Sequence, residues 1–193
     1  MPLRHSFVRW LLLLPLSGLI SGCFDLREPE PATAAGEWVQ PTSVDVLLSN
    51  FVTAVQRMNP ANYERCFAPQ YRFYPDPSAA GSTSAALFVN WGVREELDYF
   101  NSLRRRTPAT AQNQLTLTAR RDQLFSPDSA EVSAQYQLTL AQQDTAYRFK
   151  VMEGNIRLIM RRRNNEWQIS GWRDVATSNR PVWTEAKKYF IRN

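Results

Sequence analysis

The spacing of apolar residues changes once along this chain, at Pro108. Before Pro108, apolar side chains recur every three or four positions, as they do across residues 44–55, and this is the spacing of one face of a helix. After Pro108, large apolar side chains occupy every second position, as they do across residues 132–140, and this is the spacing of one face of a strand. The order predicts an α+β fold in which N-terminal helices pack on a curved, mainly antiparallel sheet of four to five strands.

Local signals predict the separate elements of this fold. Proline at the first turn of a helix costs no hydrogen bond, so Pro60 indicates the start of a short second helix. Residues rich in Ala, Ser and Gly follow two prolines at 75 and 77 and indicate a loop. The predicted elements are a helix capped by Thr42, a helix from Pro60, a strand over Tyr71–Tyr74, a loop over 78–86, a helix over Gly92–Arg105 capped by Asn90 or a neighbour, and a short C-terminal helix within 181–190.

The last two predicted strands carry signals for their pairing. Asn tolerates positive φ, so Asn164 and Asn165 predict a two-residue hairpin turn with Trp167 opposite Arg162. Large side chains change from odd to even positions beside Gly171, and they do so again beside Gly154. Each change predicts a β-bulge, because a bulge inserts one residue and reverses the alternation. The alternative is that both strands end at these glycines and have mixed faces.

The N-terminal segment is typical of an export signal. Residues 1–9 carry two arginines and no acid, and Trp10–Ile20 are an apolar run of eleven residues. A membrane-crossing helix needs about 20 apolar residues, so this run is too short for one. The motif Ile20-Ser21-Gly22-Cys23 resembles the lipobox of bacterial lipoproteins, in which the cysteine is lipidated and the chain is cut before it. The resemblance implies that 1–22 is a signal peptide and that Cys23 attaches the protein to a membrane.

The residues after Cys23 bear on its destination. In lipoproteins an Asp directly after the cysteine favours the inner membrane, and here that residue is Phe24. The resemblance therefore implies the cell envelope, on the periplasmic face of the outer membrane if the cell is Gram-negative. Residues 23–41 contain three prolines and four acids, which predicts a flexible tether spanning roughly 20–25 Å. Residues 42–193 are predicted to form one domain.

Charge, sulfur and histidine content limit the chemistry of that domain. Residues 1–22 hold two arginines and no acid, so the rest of the chain carries +3 of the formal +5. This weak charge comes with no recognition motif, and no nucleic-acid partner is predicted. Lipidation of Cys23 would leave Cys66 unpaired, as a small buried apolar residue, and the only histidine is His5 in the signal. No catalytic residue, metal site or cofactor is therefore predicted.

The order of elements resembles that of a known superfamily. The stretches FVTAVQRMNPANYERCF, YRFYPDP, WGVREELDYF and NNEWQISGWRDV resemble, in this order, the nuclear transport factor 2-like superfamily over residues 42–175. The resemblance implies a cone-shaped α+β barrel in which helices close a curved sheet around a pocket. Some enzymes of the superfamily, such as ketosteroid isomerases and polyketide cyclases, work with Asp and Tyr alone.

A pocket at the mouth of this cone is the predicted binding site. If Gly171 reverses the alternation, Asp174 points inward and needs a hydrogen-bond partner such as Tyr74 or Arg94. Aromatic walls with one carboxylate suit a small, mostly apolar ligand with a donor group, and the other possible occupant is an envelope protein. Alternatively, the tryptophans are core residues and Asp174 only caps the end of the sheet. The candidate pocket residues are Tyr71, Tyr74, Trp91, Arg94, Trp172 and Asp174.

Two functions follow from these expectations. The first is a lipid-anchored, non-catalytic envelope module that binds a ligand or a partner. The alternative is an isomerase- or lyase-like enzyme in which a buried Asp is the base and a Tyr stabilises the enolate. An empty cone with a desolvated Asp would favour the enzyme, and a filled cone would favour the binding module.

Overall fold

Five helices and five strands lie in residues 38–192, which are the residues that this computed structural model describes. They are α1 (Val44–Arg57), α2 (Pro60–Arg65), β1 (Phe67–Tyr74), α3 (Pro77–Phe88), α4 (Val93–Arg105), β2 (Gln114–Ser126), β3 (Ser129–Thr139), β4 (Val151–Arg163), β5 (Glu166–Val175) and α5 (Trp183–Phe190). The predicted α+β class is confirmed. None of these helices has both the length and the apolar composition that a membrane crossing requires.

The five strands form one sheet in the order β1-β5-β4-β3-β2. The pairs from β5 to β2 are antiparallel, and β1 joins the edge of β5 in parallel. Alternate residues of the central strands, such as Val132 opposite Leu158, are fully buried against the helices. The core therefore lies between one face of the curved sheet and the helices, as the change of period at Pro108 predicts.

The predicted hairpin turn is confirmed. Asn164 and Asn165 have φ of 51° and 64°, and the turn places Trp167 opposite Arg162. Positive φ at both central residues gives a turn whose twist matches that of the flanking strands.

The bulge predicted at Gly171 is also confirmed. Gly171 pairs with Ile159, whereas Ile169 pairs with Met160, so Ser170 is an extra residue on β5. The alternation of β5 is reversed after this point. Trp172 consequently lies on the same buried face as Ile169.

The bulge predicted at Gly154 is wrong. Gly154 pairs with Tyr136 in an unbroken register, and β4 begins only at Val151. Tyr147 therefore precedes the strand and says nothing about its alternation. A Cβ on Gly154 would lie 2.8 Å from the carbonyl oxygen of Val175, so close approach of the neighbouring backbone explains this glycine.

The predicted loop over 78–86 is also wrong, because these residues lie in α3. Asp76 accepts hydrogen bonds from the backbone N–H groups of Ser78 and Ala79, and Pro77 occupies the first turn. Together with the high helix propensity of alanine, these signals start a helix. The helix bends at Gly81, whose φ is 65°.

The two predicted helix caps shift by one or two residues. Ser43, not Thr42, caps α1, because its hydroxyl accepts from the backbone N–H of Val46 at 3.3 Å. Gly92, not Asn90, precedes α4. The predicted strand Tyr71–Tyr74 is the second half of β1.

The domain begins before residue 42, which shortens the predicted tether. The side-chain amide of Asn50 donates to the Val39 carbonyl at 2.6 Å, and the Trp167 N–H donates to the Pro41 carbonyl at 2.8 Å. Residues 38–41 are thus held by α1 and β5. The predicted signal peptide, Cys23 and the tether up to residue 37 lie outside the described residues.

The predicted burial of the second cysteine is confirmed. Cys66 is fully buried and unpaired, and its thiol donates to the Asn62 carbonyl at 3.3 Å. Burial raises the pKa of this thiol far above its ordinary value, so it is not a nucleophile near neutral pH.

Candidate functional site

Four of the six predicted pocket residues lie on the inner side of the cone. Tyr71, Trp91, Trp172 and Asp174 are all at most 1% exposed. They come from β1, from the segment before α4, and from β5. The bulge at Ser170 brings the last two of them inward.

The other two predicted residues lie outside. Tyr74 is 43% exposed, and the Arg173 guanidinium lies over its ring at 5.1 Å from the centroid. The Arg94 side chain is 85% exposed and pairs with Glu95 at 2.9 Å. Neither residue contributes to the interior.

A carboxylate that the sequence-based prediction missed lies at the centre of the interior. Glu96 of α4 is fully buried and accepts hydrogen bonds from four groups. The hydroxyls of Tyr63 and Tyr71 and the indole N–H of Trp91 each donate at 2.8 Å, and the Lys187 ammonium is the fourth donor. Each carboxylate oxygen thus has two donors, and the Glu96 charge is fully compensated.

The cation of this network is enclosed by aromatic rings. Lys187 of α5 is fully buried, and its Nζ lies 3.9 Å from the Trp172 ring centroid and 4.0 Å from that of Phe73. The ring centroids of Tyr99 and Trp91 are 5.3 and 5.8 Å away. Burial lowers the pKa of Lys187 to about 8, although the charge of Glu96 acts in the opposite direction. The lysine is therefore an ammonium ion at neutral pH.

The tyrosines around Glu96 stay protonated. Burial first, and the Glu96 charge second, raise the pKa of Tyr63 and Tyr71 well above 10. Both hydroxyls are therefore fixed donors to the carboxylate.

Asp174 binds the start of α5 rather than a charged side chain. Its carboxylate accepts from the Tyr136 hydroxyl at 2.8 Å, from the Thr184 N–H at 2.7 Å and from the Thr184 hydroxyl at 2.6 Å. The Tyr136 hydroxyl oxygen in turn accepts a hydrogen bond from the backbone N–H of Trp183 at 2.7 Å. Because the N-cap residue Val182 offers no side-chain acceptor, Asp174 and Tyr136 together cap the helix.

The partner predicted for Asp174 is therefore wrong. Tyr74 and Arg94 face outward, and Tyr136 and Thr184 take their place. Burial raises the pKa of Asp174, although hydrogen bonds from Thr184 and Tyr136 lower it in part.

A second aspartate ties three elements together at the mouth of the cone. Asp76 accepts from the Ala176 N–H at 2.7 Å, while its own N–H donates to the Thr184 hydroxyl at 3.0 Å. The start of α3, the end of β5 and the start of α5 are thus joined.

Helix α5 fills the space that the prediction left for a ligand. The ring of Trp183 packs perpendicular to that of Trp172, with centroids 4.6 Å apart, and its indole N–H donates to the Tyr99 hydroxyl at 2.8 Å. Trp183 and Lys187 of one helix therefore occupy the interior between α4 and the sheet.

A surface groove offers a more open site. It has a volume of about 810 Å³ and lies where α1, α4 and α5 end. Arg57, Arg104 and Arg105 line it and are exposed, and they form no ion pair with any residue in 38–192. Asp98 is the carboxylate in its lining.

Metal ligation has no candidate in this part of the chain. Within residues 38–192, no three His, Cys, Asp or Glu side chains come close enough to hold an ion together.

The sequence did contain a signal for Glu96 and Lys187. Glu96 precedes Tyr99, Phe100 and Leu103 by three, four and seven residues, so it shares the apolar face of α4. Lys187 likewise shares the apolar face of α5, because it follows Trp183 by four residues and precedes Phe190 by three. A charged residue on an apolar helical face indicates a buried, paired charge.

Solved structures of similar shape were compared with the domain. A candidate scytalone dehydratase from Novosphingobium aromaticivorans is 9% identical, with 70% of this chain and 82% of that chain covered at a TM-score of 0.55. A protein with a cystatin-like fold from Caulobacter vibrioides is 12% identical, with 70% and 88% covered at 0.54. A candidate aromatic ring hydroxylase from Novosphingobium aromaticivorans is 15% identical, with 70% and 87% covered at 0.55. These likenesses support the predicted nuclear transport factor 2-like fold.

These similarities extend to the fold and no further, because all three identities are low. No protein-family model matches the chain, and no curated protein matches it. A nuclear transport factor 2-like cone is compatible with a ligand-binding domain. In this chain the cone differs from an open pocket in that α5 closes it.

Proposed function

We propose that this protein is a lipid-anchored module of the cell envelope that binds a partner protein and catalyses no reaction. One observation carries the proposal. Both buried carboxylates of the cone, Glu96 and Asp174, are saturated by donors of the chain itself, and α5 lies over them.

The requirements of acid–base chemistry support a non-catalytic function. A general base must come within hydrogen-bond distance of the proton that it removes. Glu96 and Asp174 are at most 1% exposed, and a substrate would first have to displace α5. Two of the solved structures are named as candidate enzymes, yet at 9 and 15% identity they lend no support for a shared activity.

The arginine groove is the proposed partner site. Arg57, Arg104 and Arg105 present three guanidinium groups at the ends of α1 and α4, with one carboxylate beside them. Guanidinium groups bind carboxylates in a bidentate manner, so we propose that an acidic segment of another envelope protein lies here.

The position of the groove suits an anchored module. Helix α1 has 14 residues and is therefore about 21 Å long. Its first turn lies near Pro41, where the chain enters the domain, and Arg57 lies at its other end. A tether anchored through Cys23 would hold the entry side, and the groove would remain available to a partner.

Mass spectrometry of the membrane-extracted protein tests the anchor. We expect loss of residues 1–22 and acyl chains on Cys23. Cys23→Ala should leave an uncut precursor or release the domain. An unmodified Cys23 on a soluble, processed protein would overturn this part of the proposal.

Crosslinking in intact cells tests the partner site. A photo-crosslinking residue at the exposed groove position Ala109 should give a discrete adduct that disappears on adding Arg104→Glu and Arg105→Glu. Val89, which is 73% exposed and outside the groove lining, is the matched control position. Equal adducts at both positions, or adducts that survive charge reversal, would refute the groove.

The alternative function has its own test. The sequence suggested Asp174 with Tyr71 or Tyr74 for an isomerase or lyase, whereas the tyrosine bonded to Asp174 is Tyr136, at 2.8 Å. Isomerisation of an enolisable ketone by the wild type, lost on Asp174→Asn under conditions in which the variant remains folded, would establish the enzyme and refute the non-catalytic proposal.

A further inference from the structure

Lys187 is held in the interior in the way that a protein holds an ammonium ligand. Four aromatic ring centroids lie within 6 Å of its Nζ, and the Glu96 carboxylate accepts its hydrogen bond. Aromatic rings attract a cation through their negative faces, and cages of such rings recognise organic ammonium ions. The addition of a buried carboxylate favours an ion that retains an N–H donor.

None of the groups that enclose the cation comes from α5. Phe73 lies on β1, Trp172 on β5, Trp91 before α4, and Tyr99 and Glu96 on α4. The body of the domain therefore supplies the cage rings and the carboxylate, whereas α5 supplies the cation and Trp183, which packs on Trp172 and donates to Tyr99.

The charge of the site does not favour an apolar occupant. Glu96 has three neutral donors, from Tyr63, Tyr71 and Trp91, and these leave its negative charge uncompensated when Lys187 is absent. An uncompensated buried carboxylate is costly. A free cation of suitable size would therefore bind favourably, because it restores the ion pair that Glu96 loses when the lysine is absent.

The connection between β5 and α5 is an exposed segment, and α5 itself is held by a few polar contacts. Residues 177–180, between β5 and α5, are exposed and lie outside any helix or strand. The start of α5 is attached through Thr184 to Asp174 and Asp76, and its next turn through Lys187 to Glu96.

We propose that the interior of the cone is a binding site for a small primary alkylammonium ion, and that α5 closes the domain by filling this site with its own Lys187. A free primary amine takes the site when the lysine is withdrawn. This inference depends neither on the arginine groove nor on the lipid anchor.

Chemical rescue of Lys187→Ala in the full chain tests the inference. The variant lacks three carbons and the ammonium group, so ethylammonium or propylammonium should fill the gap. Thermal unfolding is followed at constant ionic strength with increasing methyl-, ethyl-, propyl- or butylammonium chloride. We expect a higher unfolding midpoint, with a maximum at ethyl- or propylammonium and an increase of about tenfold in the folded-to-unfolded ratio at ten times Kd.

Matched controls separate the site from general effects of amines. Ethanol lacks the charge and tetramethylammonium lacks the N–H donor, so neither should rescue the variant. Lys188→Ala removes a neighbouring lysine that pairs with Glu185 outside the interior, and it should not respond to amines. Lys187→Met fills the cage with an apolar chain and should likewise not respond.

The outcomes decide the inference in either direction. If Lys187→Ala does not fold alone, refolding in propylammonium but not in propanol supports the site. Absence of rescue in both formats, or equal rescue by alcohols, overturns it. Rescue of Lys188→Ala or Lys187→Met to the same extent also overturns it, because the amine would then act on the whole protein.

Discussion

Glu96 and Asp174 are two buried carboxylates that hold the same helix by different forces. Glu96 meets a positive charge, the Lys187 ammonium, within an aromatic cage. Asp174 meets only neutral donors, which are the Tyr136 hydroxyl and the hydroxyl and N–H of Thr184. The first contact is an ion pair that fails when either charge is removed, and the second is a helix cap that an uncharged acceptor can partly replace.

The largest expected effect comes from removing the Glu96 charge. Glu96→Gln keeps the shape but leaves Lys187 buried without a counterion, and breaking a buried pair in this way costs about 3–5 kcal/mol. The free energy of unfolding in urea measures the loss. Glu95→Gln, on the neighbouring partly exposed residue, is the control and should cost less than about 1 kcal/mol. Similar losses in both variants would contradict an ion pair at the centre of the cone.

Asp174→Asn should have a smaller effect. The amide oxygen can still accept one hydrogen bond, whereas its NH₂ group faces the donors of Tyr136 or Thr184, so we expect a loss of about 2 kcal/mol. Amide hydrogen exchange should accelerate at the start of α5 and not in β4. Unchanged exchange in α5, with normal stability, would contradict the cap and restore the interpretation of Asp174 as a ligand contact.

Gly154 packs against Tyr136 and so offers a further test of the cap that Asp174 and Tyr136 form. A Cβ on Gly154 would lie 3.0 Å from the Tyr136 hydroxyl as well as 2.8 Å from the Val175 carbonyl. Gly154→Ala should therefore push Tyr136 away from Asp174 and cost about 1–2 kcal/mol of unfolding free energy.

Gly171→Ala is the matched control for this substitution. Its φ is not positive, and the atoms nearest to its Cβ would belong to the Ile159 side chain, the first at 3.2 Å and none of them backbone, so we expect a loss below about 1 kcal/mol. The bulge at Ser170 therefore does not itself require glycine at 171. A larger loss at 171 than at 154 would refute this order.

The most gradual effect is the pH dependence of the Lys187 end of the helix, which is spread over several pH units. The pKa of Lys187 is about 8 in the folded protein and near 10.5 when unfolded, so the unfolded chain binds more protons between these values. From this group alone, stability rises with pH from about 8 to 10.5, by at most about 1.4 kcal/mol per pH unit. The difference in unfolding free energy between wild type and Lys187→Met should follow this slope. A flat difference would show that the pKa of Lys187 is not lowered in the folded protein.

The sequence predicted those features that depend on neighbouring residues. The change of period at Pro108 indicated the α+β class, Asn164 and Asn165 indicated the turn, and the reversed alternation beside Gly171 indicated the bulge. The same argument failed at Gly154 because Tyr147 does not belong to β4. It packs on Phe190 of α5 instead, with ring centroids 4.9 Å apart.

The interior site was harder to predict, because its contacts join residues that are distant in sequence. Tyr136 lies 38 residues before Asp174, and Glu96 lies 91 residues before Lys187. Periodicity marks Glu96 and Lys187 as buried charges, but only the packing of α5 against α4 shows that each is the counterion of the other. Four of the six predicted pocket residues face inward, but the sequence pattern did not reveal that α5 occupies the space between them.

The distance between Glu96 and Lys187 also sets an order of events during synthesis. A ribosome adds roughly 5–20 residues per second, so the 91 residues that separate the two charges take about 5–20 s to appear. During this interval the emerging polypeptide has its buried acid and three of its donors but no cation to neutralise them. The cone cannot reach its final state before residue 187 has left the tunnel, and the nascent chain remains accessible to chaperones until then.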